Sequence, residues 1–299
     1  MENNDKLLLM LDLDGTLLNT SDGMISKEDK KAIEKFRKLG HIVCLSTGRP
    51  WRSTEKIYNE LKLDTIVVNF NGAHIHHPKD YYFQQYIASI DVNDGMYVLG
   101  DKKLQQITKN VALEGIGWIH IKKRDKVLEE IFGFANVRKF KEGININKLP
   151  IKPTNIIIDT IDDITINKMK EIHSYLTRTY GDLVEITYWS KGQDLSPVID
   201  ISKLGVSKGK AVSLLSRYYD VLPKNTIAIG DGLNDLTMIK KSEVGVAMAN
   251  GDSQLKKYAT YITTKTNKES GVAEVINKIL DDPTFLEEQR KIKEQKLFG

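Results

Sequence analysis

The sequence predicts an α/β protein, a doubly wound and mostly parallel sheet into which a separate α+β domain is inserted. Two observations carry that prediction. Short continuous apolar runs, such as Lys6-Leu-Leu-Leu-Met-Leu-Asp and Thr226-Ile-Ala-Ile-Gly, alternate with amphipathic stretches at both ends of the chain. Such runs mark strands covered on both faces, as in a parallel sheet. The middle third lacks this alternation, so it reads as its own unit reached by two crossings of the chain.

The elements follow in order. After the run ending at Asp12, a helix spans Ser26 to Leu39. Ser26 is an N-cap with Asp29 three residues on; Ala32, Ile33, Phe36 and Leu39 form one face, and Gly40 ends it. A strand runs to Ser46, a helix covers roughly Ser53–Leu61, and Thr65-Ile-Val-Val-Asn-Phe is a third strand. Three strands joined by helices imply right-handed parallel crossovers.

The pattern returns after about residue 198. Ser207 starts a helix on Ala211, Leu214, Leu215 and Tyr218. Thr226–Gly230 is a strand, Asp235–Lys241 a helix, Val244–Met248 a strand. Tyr261-Ile-Thr-Thr leads into a helix on Val272, Val275, Ile276 and Ile279. Between the two halves, Trp118-Ile-His-Ile, Asn155-Ile-Ile-Ile and Leu183-Val-Glu-Ile-Thr-Tyr read as strands. Ile166, Met169, Ile172 and Leu176 form a helix face. The expected division is 1–84 and 190–299 for the sheet domain and 85–189 for the insert.

Composition narrows the function classes. The chain has 299 residues, 40% apolar and 28% charged, with Lys+Arg 44 against Asp+Glu 40. These are the proportions of an ordinary globular protein with ample core. Charges alternate in sign along most segments, as in Lys27-Glu-Asp-Lys-Lys, which argues against a nucleic-acid partner, where basic residues gather on one face. No run reaches the roughly 18 apolar residues of a membrane span, so no membrane partner is expected. The polar, acidic start Met1-Glu-Asn-Asn-Asp-Lys is unlike a signal peptide and predicts a cytoplasmic protein. Cys44 is the single cysteine. It precludes any intrachain disulfide or thiolate cluster and reads as a packing residue.

Four short segments carry chemistry. Asp12-Leu-Asp-Gly-Thr ends the first strand, where ligands bind in open α/β sheets. Two carboxylates crowded there need a cation or a proton between them. If strand geometry continued, Asp12 and Asp14 would face one way. Gly230-Asp-Gly-Leu-Asn-Asp235 follows another apolar strand and supplies Asp231, Asn234 and Asp235, an oxygen-rich set suited to a hard cation such as Mg2+. Ser46-Thr-Gly-Arg49 offers a hydroxyl and open backbone N–H groups to an oxyanion. Ser207-Lys-Gly sets Lys208 at a helix start. Carboxylates, hydroxyl, amide and cation together form an inventory for phosphoryl transfer. A strand-ending Asx turn and a plain helix cap are the purely structural alternatives for the two acidic segments.

In this combination the chain resembles the haloacid dehalogenase superfamily, and within it the Cof-type phosphatases of subfamily IIB, with a C2B-like inserted cap. Asp12-Leu-Asp-Gly-Thr, Thr47, Lys208 and Gly230-Asp-Gly-Leu-Asn-Asp match its four motifs. Asn71-Gly-Ala, Val206-Ser-Lys-Gly and Gly245-Val-Ala-Met match further landmarks in order, and the likeness spans about residues 6–275. The resemblance implies a Rossmann-like core and a cap that selects the substrate. It implies Asp12 as nucleophile and Asp14 as general acid, then base. It implies Mg2+ held by Asp12, the Asp14 carbonyl and Asp231, with Asp235 close behind. Phosphate would be bound by the Leu13 and Gly48 backbone, Thr47, Lys208 and Asn234. The substrate would be a small phosphate ester, of a sugar or of a cofactor. A phosphomutase would use the same acid pair, and a non-catalytic phospholigand module would keep the fold, but such a module would have lost Asp12 or Asp14. Asn69-Phe-Asn-Gly and Ala249-Asn-Gly depart from the family pattern, without expected contact to the catalytic positions.

Three further expectations concern side chains outside these motifs. Arg49, Arg52, Tyr188 and Lys191, near the expected domain junctions, are candidates to meet substrate. His74-Ile-His-His77 reads as a solvated hairpin rather than a transition-metal site, since no carboxylate or cysteine lies nearby in sequence. His120 and His173, each alone in an apolar periodic segment, read as packing or surface residues.

Overall fold

The computed structural model describes residues 6–19, 23–134, 137–190 and 196–298. The chain divides into two compact units, one of residues 1–48, 55–85 and 207–299, the other of residues 49–54 and 86–206.

The first unit is built on a five-stranded sheet, in the order Tyr261–Ile262, Val244–Ala247, Thr226–Gly230, Leu8–Leu11, Ile42–Leu45. Every neighbouring pair is parallel. Leu8, Met10, Cys44 and Ala228 share a buried cluster with Ala211, Val212 and Leu215 of the helix Lys208–Tyr218 and with Met238 and Ile239. Their strand neighbours Leu9, Leu11, Val43 and Ile229 are equally buried and, by alternation, line the opposite face. Helices therefore cover both faces, which is why these strands read as unbroken apolar runs.

Helix Lys27–Lys38 starts at Ser26, whose hydroxyl accepts from the Asp29 N–H at 3.0 Å. The Asp29 carboxylate, itself fully buried, accepts from the Ala273 N–H at 2.7 Å and so ties this helix to Gly271–Asp281. Leu39, expected on the apolar face, is instead exposed. It sits at the C-cap, where the helical period no longer applies. The third expected strand is shorter, Val67–Asn69. It meets the sheet through one parallel bridge, Ser46 to Val68, and otherwise forms an antiparallel hairpin with His74–His76.

The second unit holds a six-stranded sheet ordered Val184–Ser190, Pro197–Lys203, Asn155–Thr160, Thr108–Gly115, Trp118–Ile121, Lys139–Glu142. All pairs are antiparallel except the last. One face packs Leu113, Ile156, Ile158 and Ile199 with Met169 and Leu176 of helix Ile166–Tyr180. The other gathers Ala112, Ile157 and Val198 with Phe132 and Phe134.

The division differs from the one expected at 190. Pro197–Lys203 pairs antiparallel on both sides within the second sheet, so that unit runs on to Val206. A central antiparallel strand buried on both faces reads like a parallel one, and periodicity cannot separate the two. Arg49–Thr54 also belongs with the second unit. Among the described residues no helix is long and apolar enough to cross a membrane.

Candidate active site

Strand Leu8–Leu11 stops one residue before Asp12, although the Asp12 N–H still donates to the Ile229 carbonyl at 3.1 Å. Beyond it the chain turns at once. The Leu13 carbonyl accepts from the N–H groups of Thr16, Leu17 and Leu18. Strand alternation therefore ends before it could align the two carboxylates: Asp12 is buried and Asp14 exposed. Gly15 has φ +76°, and a Cβ there would lie 2.2 Å from Asp231 Oδ2. Both the conformation and the space demand glycine.

The next strand of the sheet, Thr226–Gly230, delivers the second acidic loop beside the first. Asp235 is held hard: its Oδ2 accepts from the Asp231 and Gly232 N–H groups, both at 3.0 Å. Lys208, fully buried at the start of its helix, places Nζ 2.5 Å from Asp235 Oδ1 and 2.5 Å from Asp12 Oδ1. Thr16 Oγ1 donates to Asp231 Oδ1 at 3.0 Å. Asp12, Asp231 and Asp235 each offer a carboxylate oxygen within 4.8 Å of the others.

The electrostatics follow from that crowding. Burial, then the Asp235 charge, pushes the Asp12 carboxyl up to about 7, with Lys208 pulling the other way and Asp14 adding repulsion. Asp231 is raised well above the usual carboxylate range by burial, then by Asp12 and Asp235. For Lys208, burial disfavours the ammonium, but Asp12 and Asp235 overcome it and hold the group above its ordinary value. With all three carboxylates ionised, the one ammonium would leave a surplus of two negative charges. An all-oxygen donor set with that surplus fits one hard divalent cation.

The Thr47–Gly48 loop is linked to the second acidic loop through Asn71. Thr47 N–H donates to Val68 O at 2.9 Å, and Asn71 N–H donates to Thr47 O at 3.0 Å. Asn234 Nδ2 donates to Asn71 Oδ1 at 3.1 Å. Asp12, Lys208, Asp231 and Asp235 thus touch directly. Asn234 is joined to Thr47–Gly48 through Asn71, and Asp14 acts on Asp12 through its charge.

Two asparagines were not expected here. Asn71 sits inside Asn69-Phe-Asn-Gly, where Phe70 and Asn71 adopt φ +50° and +53°. Asn250 donates Nδ2–H to the Gly15 carbonyl at 2.7 Å and accepts from the Asn267 N–H at 3.0 Å. Asn267 in turn donates to the Leu18 carbonyl at 2.7 Å. The Ala249-Asn-Gly departure thus reaches the nucleophile loop at the Gly15 carbonyl, beside the catalytic positions rather than on them. The available signal was an Asn-Gly pair directly after an apolar strand in each case.

The remaining candidates have the following partners. Arg52 forms an ion pair with Glu114, donates to the Phe132 carbonyl at 2.9 Å, and lies 5.8 Å from the Phe134 ring centroid. Tyr188 stacks edge-on against His173, whose Nε2 meets the Ile186 carbonyl. Arg49 reaches the Ser53 carbonyl at 3.5 Å. Lys191 lies outside the described residues. His74 is buried rather than solvated. Its ring stacks on His76 at 4.1 Å, with Nε2 against Gln85, while His76 Nε2 meets Asn69 Oδ1. Among the described residues these histidines belong to no group able to share a metal ion. His120 is buried beside Trp118.

Comparisons with known proteins give the family. A family model for haloacid dehalogenase-like hydrolases matches residues 9–276. A Metamycoplasma hominis protein named "Putative phosphatase in upp 3'region" is 44% identical over 91% of this chain and 96% of its own. The Bacillus subtilis 5-amino-6-(5-phospho-D-ribitylamino)uracil phosphatase YitU is 35% identical over 89% of this chain and 94% of its own. The crystal structure of a haloacid dehalogenase-like hydrolase from Bacteroides thetaiotaomicron shares the fold, with TM-score 0.72 and 24% identity over 92% of this chain and 99% of that one. The chain belongs to the haloacid dehalogenase-like hydrolase family, as a Cof-type phosphatase. In class it is a phosphoric monoester hydrolase.

Proposed function

We propose that this chain is a Mg2+-dependent phosphatase of small phosphorylated metabolites that works through a phospho-aspartate on Asp12. The observation that carries the reading is the cluster of three carboxylates, two of them paired with a fully buried Lys208, at the carboxyl end of a parallel sheet.

In this reading an Asp12 carboxylate oxygen attacks phosphorus. The ester P–O bond breaks, and the leaving alkoxide takes the proton of Asp14. Asp14 then accepts a proton from water as that water attacks the aspartyl phosphate, releasing inorganic phosphate and restoring Asp12. Asp14 suits proton exchange with substrate and water because it is exposed, whereas Asp12 is enclosed. Lys208, 2.5 Å from Asp12, lies within reach of a phosphoryl group bound there. Thr47, Asn234 and the backbone N–H groups of Leu13 and Gly48 supply the remaining donors to its oxygens. Asp12, Asp231, the Asp14 carbonyl and, behind them, Asp235 would hold Mg2+, which when bound neutralises charge on carboxylates and phosphate alike. The second unit acts as the cap that selects the leaving group.

The substrate class is a sugar phosphate or a cofactor-related phosphate. The YitU relative, named for a phosphoribityl-aminouracil, adds that compound to the candidates. The test is phosphate release from a panel of these esters and an aryl phosphate, with Mg2+ or EDTA. Release that needs both the metal and Asp12 supports the reading, and no release from any ester by folded, metal-loaded protein removes it. Read in a single turnover, before the aspartyl phosphate is hydrolysed, Asp14→Asn is expected to slow alcohol release from alkyl esters by about 100-fold or more while sparing release of the aryl alcohol, whose leaving group needs no proton. Equal losses on both would remove Asp14 as general acid.

A further inference from the structure

The Asn71–Gly72 turn has no assigned part in the reaction, yet it touches three of the four segments that build the site. Its backbone N–H donates to the Thr47 carbonyl at 3.0 Å. Its side chain lies against Gly48, where a Cβ would come within 3.3 Å of Asn71 Oδ1. The same Oδ1 accepts from Asn234 Nδ2 at 3.1 Å. One residue on, Gly72 has φ +105°, and a Cβ there would stand 2.7 Å from the carbonyl of Ser207, the residue that opens the Lys208 helix. Asn71 itself holds φ +53°, ψ +24°, a left-handed conformation that asparagine tolerates far better than most side chains. Phe70 beside it carries φ +50° with a bulky side chain, a strained arrangement that packing must sustain.

An asparagine amide has a donor end and an acceptor end that differ little in shape. Asn234 can bind a phosphoryl oxygen only through Nδ2–H. Turned the other way, its Oδ1 would oppose the anion. Asn71 presenting Oδ1 beside Nδ2 favours the useful orientation, since one N–H goes to that acceptor and the second remains for the ligand.

We infer that Asn71 is a positioning residue for phosphate binding, acting through Asn234 by holding its amide with the donor end toward the substrate. The inference rests on the phosphatase reading above. The Asn71 amide contacts no carboxylate of the metal cluster, so its effect falls on phosphate recognition rather than on metal affinity.

The test is a double-mutant cycle between Asn71→Gly and Asn234→Ala. Glycine deletes the amide while keeping the left-handed backbone, and melting temperature reports folding. Two quantities are read on the Mg2+-loaded protein: kcat/KM for the best ester, and the affinity for inorganic phosphate by calorimetry. With Asn234 present, Asn71→Gly is expected to weaken both by about tenfold, the value of one well-placed hydrogen bond. With Asn234→Ala, the same change is expected to shift each by less than about twofold, because the group it orients is gone. Unchanged values, or equal losses in both backgrounds, would overturn the inference. Should Asn71→Gly not fold, Asn71→Ser, too short to reach Asn234, is read in the same two backgrounds. The phosphate titration keeps the two readings separable. A wild type that binds phosphate without turnover removes the phosphatase and leaves the coupling measurable. An active wild type without coupling removes only Asn71. A wild type that neither turns over an ester nor binds phosphate overturns both.

Discussion

Each unit buries acidic side chains with a single cation, and the two solve the resulting charge problem differently. In the first unit, Lys208 pairs with Asp12 and Asp235, and a carboxylate oxygen of Asp231 lies within 4.8 Å of theirs. Their spare oxygens converge where the sheet ends, in reach of a ligand. In the second, Glu114 pairs with Arg52, and Asp200 accepts from Trp189 Nε1 at 2.8 Å and Asn155 Nδ2 at 3.2 Å. There the surplus charge is absorbed by neutral donors and by protonation: burial pushes Asp200 up to about 7, against its two hydrogen bonds and with the Glu114 charge adding to the rise. Donors crowd around Asp200, whereas Asp12 and Asp231, each with one such partner in Lys208 and Thr16, still repel one another and Asp235, which a proton or a further cation relieves. A buried carboxylate is therefore a functional signal when its neighbours leave its charge unanswered, and a structural one when they answer it.

That comparison can be broken most sharply at Asp12. Asp12→Asn is expected to lower phosphate release on the order of 10^4-fold or more, as loss of a nucleophile does. It is also expected to shrink the rise in melting temperature that Mg2+ gives the wild type, since a ligand stabilises only the state that binds it. Glu114→Gln is expected to leave that rise intact. An equal Mg2+ effect in Asp12→Asn would end the contrast between the clusters.

The second unit is probed by Arg52→Met, which leaves Glu114 buried and unpaired. Such a loss costs about 3–5 kcal/mol, read as a lower denaturation midpoint for that unit. Adding Glu114→Gln should recover much of it. No destabilisation by Arg52→Met would mean that Glu114 is already neutral in the native protein, consistent with burial raising its carboxyl against the pull of Arg52.

Smaller effects are expected in the pH dependence, with opposite signs in the two units. The Asp200 pKa is raised on folding from 3.8 to about 7. Its contribution is therefore full below about pH 4 and lost as pH rises toward 7, each unit of separation being worth about 1.4 kcal/mol at most. Asp200→Asn should flatten that fall between about pH 4 and 7. His76 is depressed to about 3, by burial first and then by the charges of His74 and His77. Its contribution is full above 6.5 and lost as pH falls toward 3, so His76→Gln, which can still donate to Asn69, should blunt acid unfolding of the first unit. Parallel pH profiles for each variant and the wild type would show that these groups do not titrate as their surroundings dictate.

Much of the first unit was legible because its strands are covered on both faces and end in glycine-bearing acidic turns. Asp12-Leu-Asp-Gly-Thr and Gly230-Asp-Gly-Leu-Asn-Asp announce both the strand and the loop that follows. The second unit was less legible. Strand Thr108–Gly115 is central in its sheet, yet Lys109, Asn110 and Glu114 interrupt its apolar pattern. Asn110 is accounted for by bonds to Lys123, and Glu114 by Arg52, partners distant in sequence. The solvated reading of His74 failed for the same reason: its partners, His76 and Gln85, are set by the hairpin and not by composition.

The sequence by itself determined the doubly wound core, the two acidic loops and Lys208, because hydrophobic period and turn chemistry are local properties. Only the tertiary structure decided that Pro197–Lys203 belongs to the second sheet, that Asp235 is clamped by backbone N–H groups, and that Asn71 and Asn250 brace the site. The asparagine assignments depend on hydrogen-bond partners 163 and 235 residues apart, between Asn71 and Asn234 and between Gly15 and Asn250. No local pattern encodes that pairing, since any buried donor must find an acceptor and the chain offers many.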